Sequence, residues 1–169
     1  KLRMAASIAT GVMHMHAIKP DLLPHQDGDG LLQDRPTMAH YDLNPRNIAL
    51  FAGGLPKIND FNIAEFLYYN SSTTNATTCG FPNRMHQPWW RAPEEVNLNH
   101  TVMLDEKVDI YALGGILFHL LTTRSPRGKM KAERMESVRK IVMAGVKPEL
   151  PDTFKSDRSD PIVVAFLKA

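Results

Sequence analysis

The feature that most constrains this chain is an apolar run at residues 110–121, in which His119 is the one strongly polar side chain. The run falls short of the roughly 20 residues that a helix needs to cross a bilayer. It therefore reads as a helix buried in a globular core, around which the other elements pack. Composition agrees with a folded domain: 43% of the 169 residues are hydrophobic and 22% charged, which argues against disorder. That length suits one domain, or one lobe of a larger one. With 20 Lys and Arg against 18 Asp and Glu, the net charge is +2, so charge implies neither a nucleic-acid partner nor an anionic membrane surface. Cys79 is alone, so neither an internal disulfide nor a cysteine zinc site can be built.

Residues 1–18 place Leu2, Ala5, Ala6, Ile8, Ala9, Val12, Met13 and Met15 at helical spacing, predicting a helix with one broad buried face. Residues 19–36 change character, with Pro20, Pro24, Gly28, Gly30 and Pro36 marking a loop insertion. Its acidic Asp27 and Asp29 lack the alternating ligands and distal Glu of a calcium loop. Two short strands, 48–51 and 55–59, flank Ala52-Gly53-Gly54 as a hairpin. Residues 66–88 are rich in Ser, Thr and Asn without apolar periodicity, predicting a long loop. Pro93 can open a helix with Glu94 and Glu95 in its first turn, where acids suit the helix dipole. The buried helix spans 105–122 and a charged amphipathic helix 131–144. Pro148 and Pro151 open another loop, and Asp160-Pro161 starts a last helix. The expected fold is mainly α with a small β-hairpin.

Chemistry concentrates in His40-Tyr41-Asp42-Leu43-Asn44-Pro45-Arg46-Asn47 and in Lys57-Ile58-Asn59-Asp60-Phe61-Asn62. These segments put Asp42, Asn47 and Asp60 on loops flanking the hairpin. Loop acids at strand ends can hold a hard cation through oxygen, and Mg²⁺ held by few protein ligands commonly also binds phosphate. Equally, Asp42 and Asp60 could be turn residues and Asn47 a cap. The residues by themselves leave both readings open.

Order and spacing carry a resemblance. The first segment resembles the protein-kinase catalytic loop His-Arg-Asp-x-x-x-x-Asn, and Asp60-Phe61-Asn62 resembles the Asp-Phe-Gly motif that follows it. Ala92-Pro93-Glu94 matches the end of the kinase activation segment, and Asp109 to Gly114 resembles the start of the long buried helix of the large lobe. The chain thus resembles the large, C-terminal lobe of a eukaryotic protein kinase over all but the 19–36 insertion: a partial kinase domain, 1–169, of an α+β parent fold. The resemblance implies that Asp42 accepts or orients the substrate hydroxyl proton. It implies that Asn47 and Asp60 hold the Mg²⁺ ions that bridge the ATP phosphates. It further implies that Asp109 braces the catalytic loop from below, that residues 60–94 form the activation segment, and that Glu94 pairs with an Arg outside this sequence.

Several positions depart from the pattern. Tyr41 stands where the family has Arg, which pairs with an activation-segment phosphate. Tyr41 cannot take that part, so the hydroxyls of 70–78 need not be an on-switch. Asn44 replaces the Lys that contacts the transferring phosphate in Ser/Thr kinases. Arg46, two residues on, stands where many tyrosine kinases carry a compensating Arg and is expected to do that Lys's work. Asn62 replaces Gly of Asp-Phe-Gly, and Asn tolerates positive φ best after Gly. Nothing in the sequence resembles the Gly-rich loop, the strand Lys or the helical Glu of the small lobe. The expectation is a fragment of a longer protein, inactive without its small lobe. His14 and His16, two apart on a helix, do not face one another as a metal pair. Trp89-Trp90 is expected to pack the substrate-side wall, and Met130, Met135 and Met143 to fill core gaps or helix surface. The sequons at Asn70, Asn75 and Asn99 are read as accidental in an intracellular, cytoplasmic kinase fold.

The implied function is transfer of the ATP γ-phosphoryl group to a protein hydroxyl, Ser/Thr or dual specificity being favoured, with ATP and Mg²⁺ as cofactors and a protein as substrate. The rival is a pseudokinase, a scaffold that keeps the fold without turnover. Tyr41, Asn44 and Asn62 favour the rival, whereas joint retention of Asp42, Asn47 and Asp60 favours catalysis.

Overall fold

The computed structural model describes residues 1–18, 36–69, 78–84, 87–97 and 102–155. Most of the expected 19–36 insertion, the sequons at Asn70, Asn75 and Asn99, and the expected helix after Asp160 lie outside the described residues. The architecture is mainly helical with the expected hairpin, as the sequence predicts, and it carries two further two-stranded ladders that the sequence does not foresee.

Helix α1 (Leu2–His16) buries Ile8, Val12, Met15 and His16, a narrower face than expected, since Leu2 and Met13 are exposed. Its buried stripe meets Ala112 and Ile116 of α3 (Lys107–Thr122), together with Met38 and Leu43. Helix α3 is the apolar run, although only one side of it is sealed: Val108, Ala112, Ile116 and Phe118 are buried, whereas Ile110 is 52% exposed. This core thus joins the two helices to Leu43 of the loop that carries Asp42.

The chain next forms β1 (Met38–Ala39), which pairs with β4 (Glu65–Phe66). Between them lies the hairpin of β2 (Ile48–Leu50) and β3 (Pro56–Ile58), antiparallel with Ile48 opposite Ile58. Its Ala52–Gly54 turn needs φ of 75° at Gly53 and 73° at Gly54, values open to glycine at little steric cost. The hairpin lies against α1, and a side chain at Gly11 would bring its Cβ 3.2 Å from Ile58 Cδ1. That close approach explains a glycine in a helix interior, where it otherwise costs about 1 kcal/mol.

The stretch expected as one long loop carries β4 at its start and β5 (Phe81–Pro82), which pairs with β6 (Met103–Leu104). These ladders are two residues long, too short for any alternation to show. Helix α2 (Pro93–Val96) starts at Pro93 as predicted, followed after α3 by a 3₁₀ turn (Ala132–Arg134) that runs into α4 (Met135–Met143). Val138 and Val142 of α4 pack on Trp89 and Val96, clamping residues 88–96 onto the helical body. Met135 joins that cluster, whereas Met143 and Met130 are exposed. A short α5 (Asp152–Lys155), not foreseen in the proline-marked loop, brings Phe154 against Phe118, Leu121 and Leu150.

Candidate active site

Asp109 organises the loop. It is 1% exposed, and its two carboxylate oxygens accept three donors. Oδ1 accepts the Tyr41 N–H at 2.9 Å, and Oδ2 accepts the His40 N–H at 2.7 Å and bonds His16 Nε2 at 2.9 Å. A buried carboxylate is tolerable when its lone pairs are filled in this way. The expected bracing of the loop is therefore built, with His16 as a second support from α1. His14 instead bonds the Thr10 carbonyl at 2.8 Å, so the two histidines do separate jobs.

Tyr41 takes φ of 63°, a left-handed conformation costing a bulky residue about 1–2 kcal/mol. Every polar group of Tyr41 is engaged. Its N–H is on Asp109, its carbonyl accepts Arg91 Nη1, and its single hydroxyl proton is shared between Asn83 Oδ1 and the Arg84 carbonyl, each at 3.2 Å. The same hydroxyl oxygen accepts the Arg84 N–H at 2.8 Å. Burial raises the phenol's pKa, so the group remains a neutral donor. Tyr41 cannot grip a phosphate as Arg would, but it ties the loop to residues 83–84 without one.

Asp42 presents its carboxylate to two partners. Oδ2 accepts Asn47 Nδ2 at 3.0 Å, and the same amide donates to the Asp42 carbonyl at 2.8 Å. Oδ1 lies 2.6 Å from Arg91 Nη2. Asn47 is buried at the end of a 3₁₀ turn, Pro45–Asn47, that Asn44 caps by accepting the Arg46 N–H at 3.0 Å. Asn44 Nδ2 donates to the Asp42 carbonyl at 2.9 Å, so Asn44 is a turn-maker. The Arg46 side chain is exposed and, among the described residues, pairs with neither acid.

Asp60 reaches this site through the hairpin. The Asn59 N–H donates to the Asn47 carbonyl at 2.9 Å, extending the β2–β3 register by one pair and setting Asp60 beside the Asn47 end. Asp60 holds the left-handed conformation, φ 67°, and is exposed; Asn62 is not among the positive-φ residues. The tolerance of Asn for positive φ is therefore not called upon. Phe61 tilts against His40, ring centroids 4.7 Å apart.

Sequence reasoning gave Arg91 no role and Glu95 only that of a first-turn acid. Arg91 is buried, with Nη1 3.0 Å from Glu95 Oε1 and its guanidinium carbon 5.2 Å from the Tyr41 ring centre. Glu95 Oε2 accepts the Ala92 N–H at 2.6 Å, reaching back over the first turn of α2. Burial pushes the Glu95 carboxyl up to about 7, the Arg91 charge opposing the shift. The spacing of Arg91 and Glu95, four apart, was the available signal.

The donor set suits a magnesium–nucleotide pair. Asp60 offers an exposed carboxylate, and Asn47 keeps its amide oxygen because its nitrogen is committed to Asp42. Among the described residues no three His, Cys, Asp or Glu side chains converge on one point. Mg²⁺ is commonly held by one or two protein oxygens, with phosphate among its other ligands.

The family model of the protein kinase domain matches residues 3–165, and the chain belongs to that family. It is similar to the serine/threonine-protein kinase TOUSLED of Arabidopsis thaliana, 28% identical over 116 residues, 68% of this chain and 16% of that protein. A probable serine/threonine-protein kinase of Dictyostelium discoideum is 27% identical over 163 residues, 96% of this chain and 15% of that protein. The probable serine/threonine-protein kinase SIS8 of Arabidopsis thaliana is 29% identical over 132 residues, 77% of this chain and 10% of that protein. The chain spans a quarter or less of the length of the curated relatives it matches. The family uses ATP and Mg²⁺ to phosphorylate proteins. Among the described residues no helix is long and apolar enough to cross a membrane.

Proposed function

We propose that the protein carrying this chain is an active serine/threonine kinase, with residues 1–169 as the large lobe of its catalytic domain and 60–94 as the activation segment. The observation that carries the reading is the Asp42–Asn47 pair: one amide fixes the acid through its carbonyl and its carboxylate while keeping an oxygen for a cation. In this reading Asp42 orients the substrate hydroxyl and takes its proton as that oxygen attacks the γ-phosphorus and the bond to the β-phosphate oxygen breaks. Asn47 and Asp60 hold Mg²⁺, which neutralises phosphate charge when bound. Arg46, exposed two residues from Asn44, supplies a guanidinium fork to the transferring phosphate. Positioning and charge neutralisation supply most of the rate in such a reaction. That these relatives are named as serine/threonine kinases supports Ser/Thr over Tyr.

The test is transfer of labelled γ-phosphate from Mg-ATP by the full-length protein to Ser, Thr and Tyr peptides. Label on Ser or Thr, lost with EDTA and in Asp60→Asn, is the expected result. Label confined to Tyr would overturn the specificity. A folded full-length protein with no transfer under any of these conditions would favour the scaffold.

A further inference from the structure

We infer that Arg91 is a positioning residue for Asp42, so that the anchored end of residues 60–94 fixes the orientation of the acid at the centre of the site. The inference rests on the kinase reading and goes beyond it. Nothing in the catalytic-loop pattern assigns Arg91 a role.

The geometry is specific. The Arg91 guanidinium sits in a buried position and meets acceptors on both sides. Nη2 is on Asp42 Oδ1 at 2.6 Å, and Nη1 is shared between the Tyr41 carbonyl and Glu95 Oε1, the latter at 3.0 Å. A planar fork spread over three acceptors from two segments has little rotameric freedom left. Glu95 cannot drift either, because its second oxygen holds the Ala92 N–H. Trp89 and Val96, on either side of Arg91, are buried beneath α4, so this segment has a rigid base.

Asp42 consequently receives one hydrogen bond from its own loop, Asn47 on Oδ2, and one from the far segment, Arg91 on Oδ1. With both bonds present the carboxylate plane is fixed before substrate arrives. With the Arg91 bond lost, the Asn47 bond alone leaves rotation about the carboxylate. Glu95 Oε1 takes the other arm of the Arg91 fork, so the guanidinium is not drawn wholly onto Asp42. A shift of residues 88–96 would pull Arg91 from Asp42. The state of that segment is thereby communicated to the acid through a single side chain.

The experiment uses the full-length protein, and its principal variant is Arg91→Met/Glu95→Gln. That pair removes both charges together and leaves no carboxylate buried against a missing cation. The expected result is a kcat lowered about 10–100-fold, the cost of a misplaced reacting group, with the KM for ATP within about twofold. In an Asp42→Asn background the same pair should cost less than about threefold, because the group it positions is already gone. Equal losses in both backgrounds, or a kcat within twofold of wild type, would overturn the inference. If the double variant does not fold, Arg91→Lys decides. It keeps the charge without the fork and should give an intermediate kcat, whereas unaltered turnover would overturn the inference. Amide hydrogen exchange at Tyr41 and Asp42 gives a reading free of activity. It should quicken in Arg91→Met/Glu95→Gln, and unchanged protection contradicts the role even in a protein without turnover. Absence of transfer by folded wild type overturns the kinase reading by itself, and the exchange result then stands separately.

Discussion

The Tyr41 N–H lies 2.9 Å from Asp109 Oδ1, joining a residue in left-handed conformation to a carboxylate at the start of the most apolar helix. The bond explains how a bulky aromatic can precede Asp42 in an unfavourable conformation. The helix supplies a fixed acceptor, and the strain is offset by the hydrogen bonds that Asp109 accepts. Replacing Asp109 by Ala leaves the His40 and Tyr41 amides and His16 without this partner. We expect a loss of about 3–5 kcal/mol, read as a fall in the midpoint of denaturant unfolding. A loss below about 1 kcal/mol would show that the loop holds itself.

The Tyr41 hydroxyl tethers residues 83–84, where the family's Arg would need a phosphate. Tyr41→Phe should therefore cost about 1–2 kcal/mol, since the Arg84 N–H loses its acceptor. Replacing the hydroxyls of Ser71, Ser72, Thr73, Thr74 and Thr77 together should change turnover of the full-length protein less than about threefold. Thr78 is kept, because its hydroxyl accepts the Gly80 N–H at 3.1 Å. A large loss in that multiple variant would mean a phosphate switch operates after all.

Arg46 and Asn44 separate two tasks. Asn44 spends its side chain on the turn, and the Arg46 guanidinium is exposed. Arg46→Ala should lower kcat by about tenfold or more with little change in melting temperature. Near-normal turnover would remove Arg46 from the phosphate.

Glu95 gives the protein a pH signature. Its carboxyl is raised by burial to about 7 in the folded chain against 4.5 for the ordinary group. Between those values the folded state binds the proton that the unfolded state releases. Stability from this group is therefore fully present below about 4.5 and is lost as pH rises through 7. The difference in melting temperature between wild type and Glu95→Gln should change steadily from pH 5 to pH 8, with the wild type losing ground. A pH-independent difference would show that Arg91 holds the carboxylate ionised throughout.

Much of this was legible in the sequence wherever the signal is local. The α1 and α3 periodicity, the Gly53-Gly54 turn and the Pro93 helix start are properties of a few consecutive residues, and each element forms within two or three residues of its expected span. Asp42, Asn47 and Asp60 could be picked out by order and spacing, and the hairpin register brings the last two to neighbouring positions. What could not be read were pairings across the chain. Arg91 looks like any residue between Trp90 and Ala92 until it meets Asp42, 49 positions away. His16 sits two residues from His14 in the sequence, whereas its partner is Asp109, 93 positions away. Tyr41 read as the loss of a charge, because a hydroxyl's partners on another segment leave no mark in local pattern. The exposure of Ile110 likewise depends on which side of α3 the other elements cover.

In the proposed function, phosphoryl transfer runs through the Asp42 carboxylate. It is tested most directly by comparing γ-phosphoryl transfer from Mg-ATP in the full-length wild type and in Asp42→Asn, with melting temperature measured on both. Measurable transfer by the wild type and a loss of about 10²–10⁴-fold in the variant, with the fold intact, is the expected result. Equal rates in the two proteins, or no transfer by a folded wild type, would contradict it.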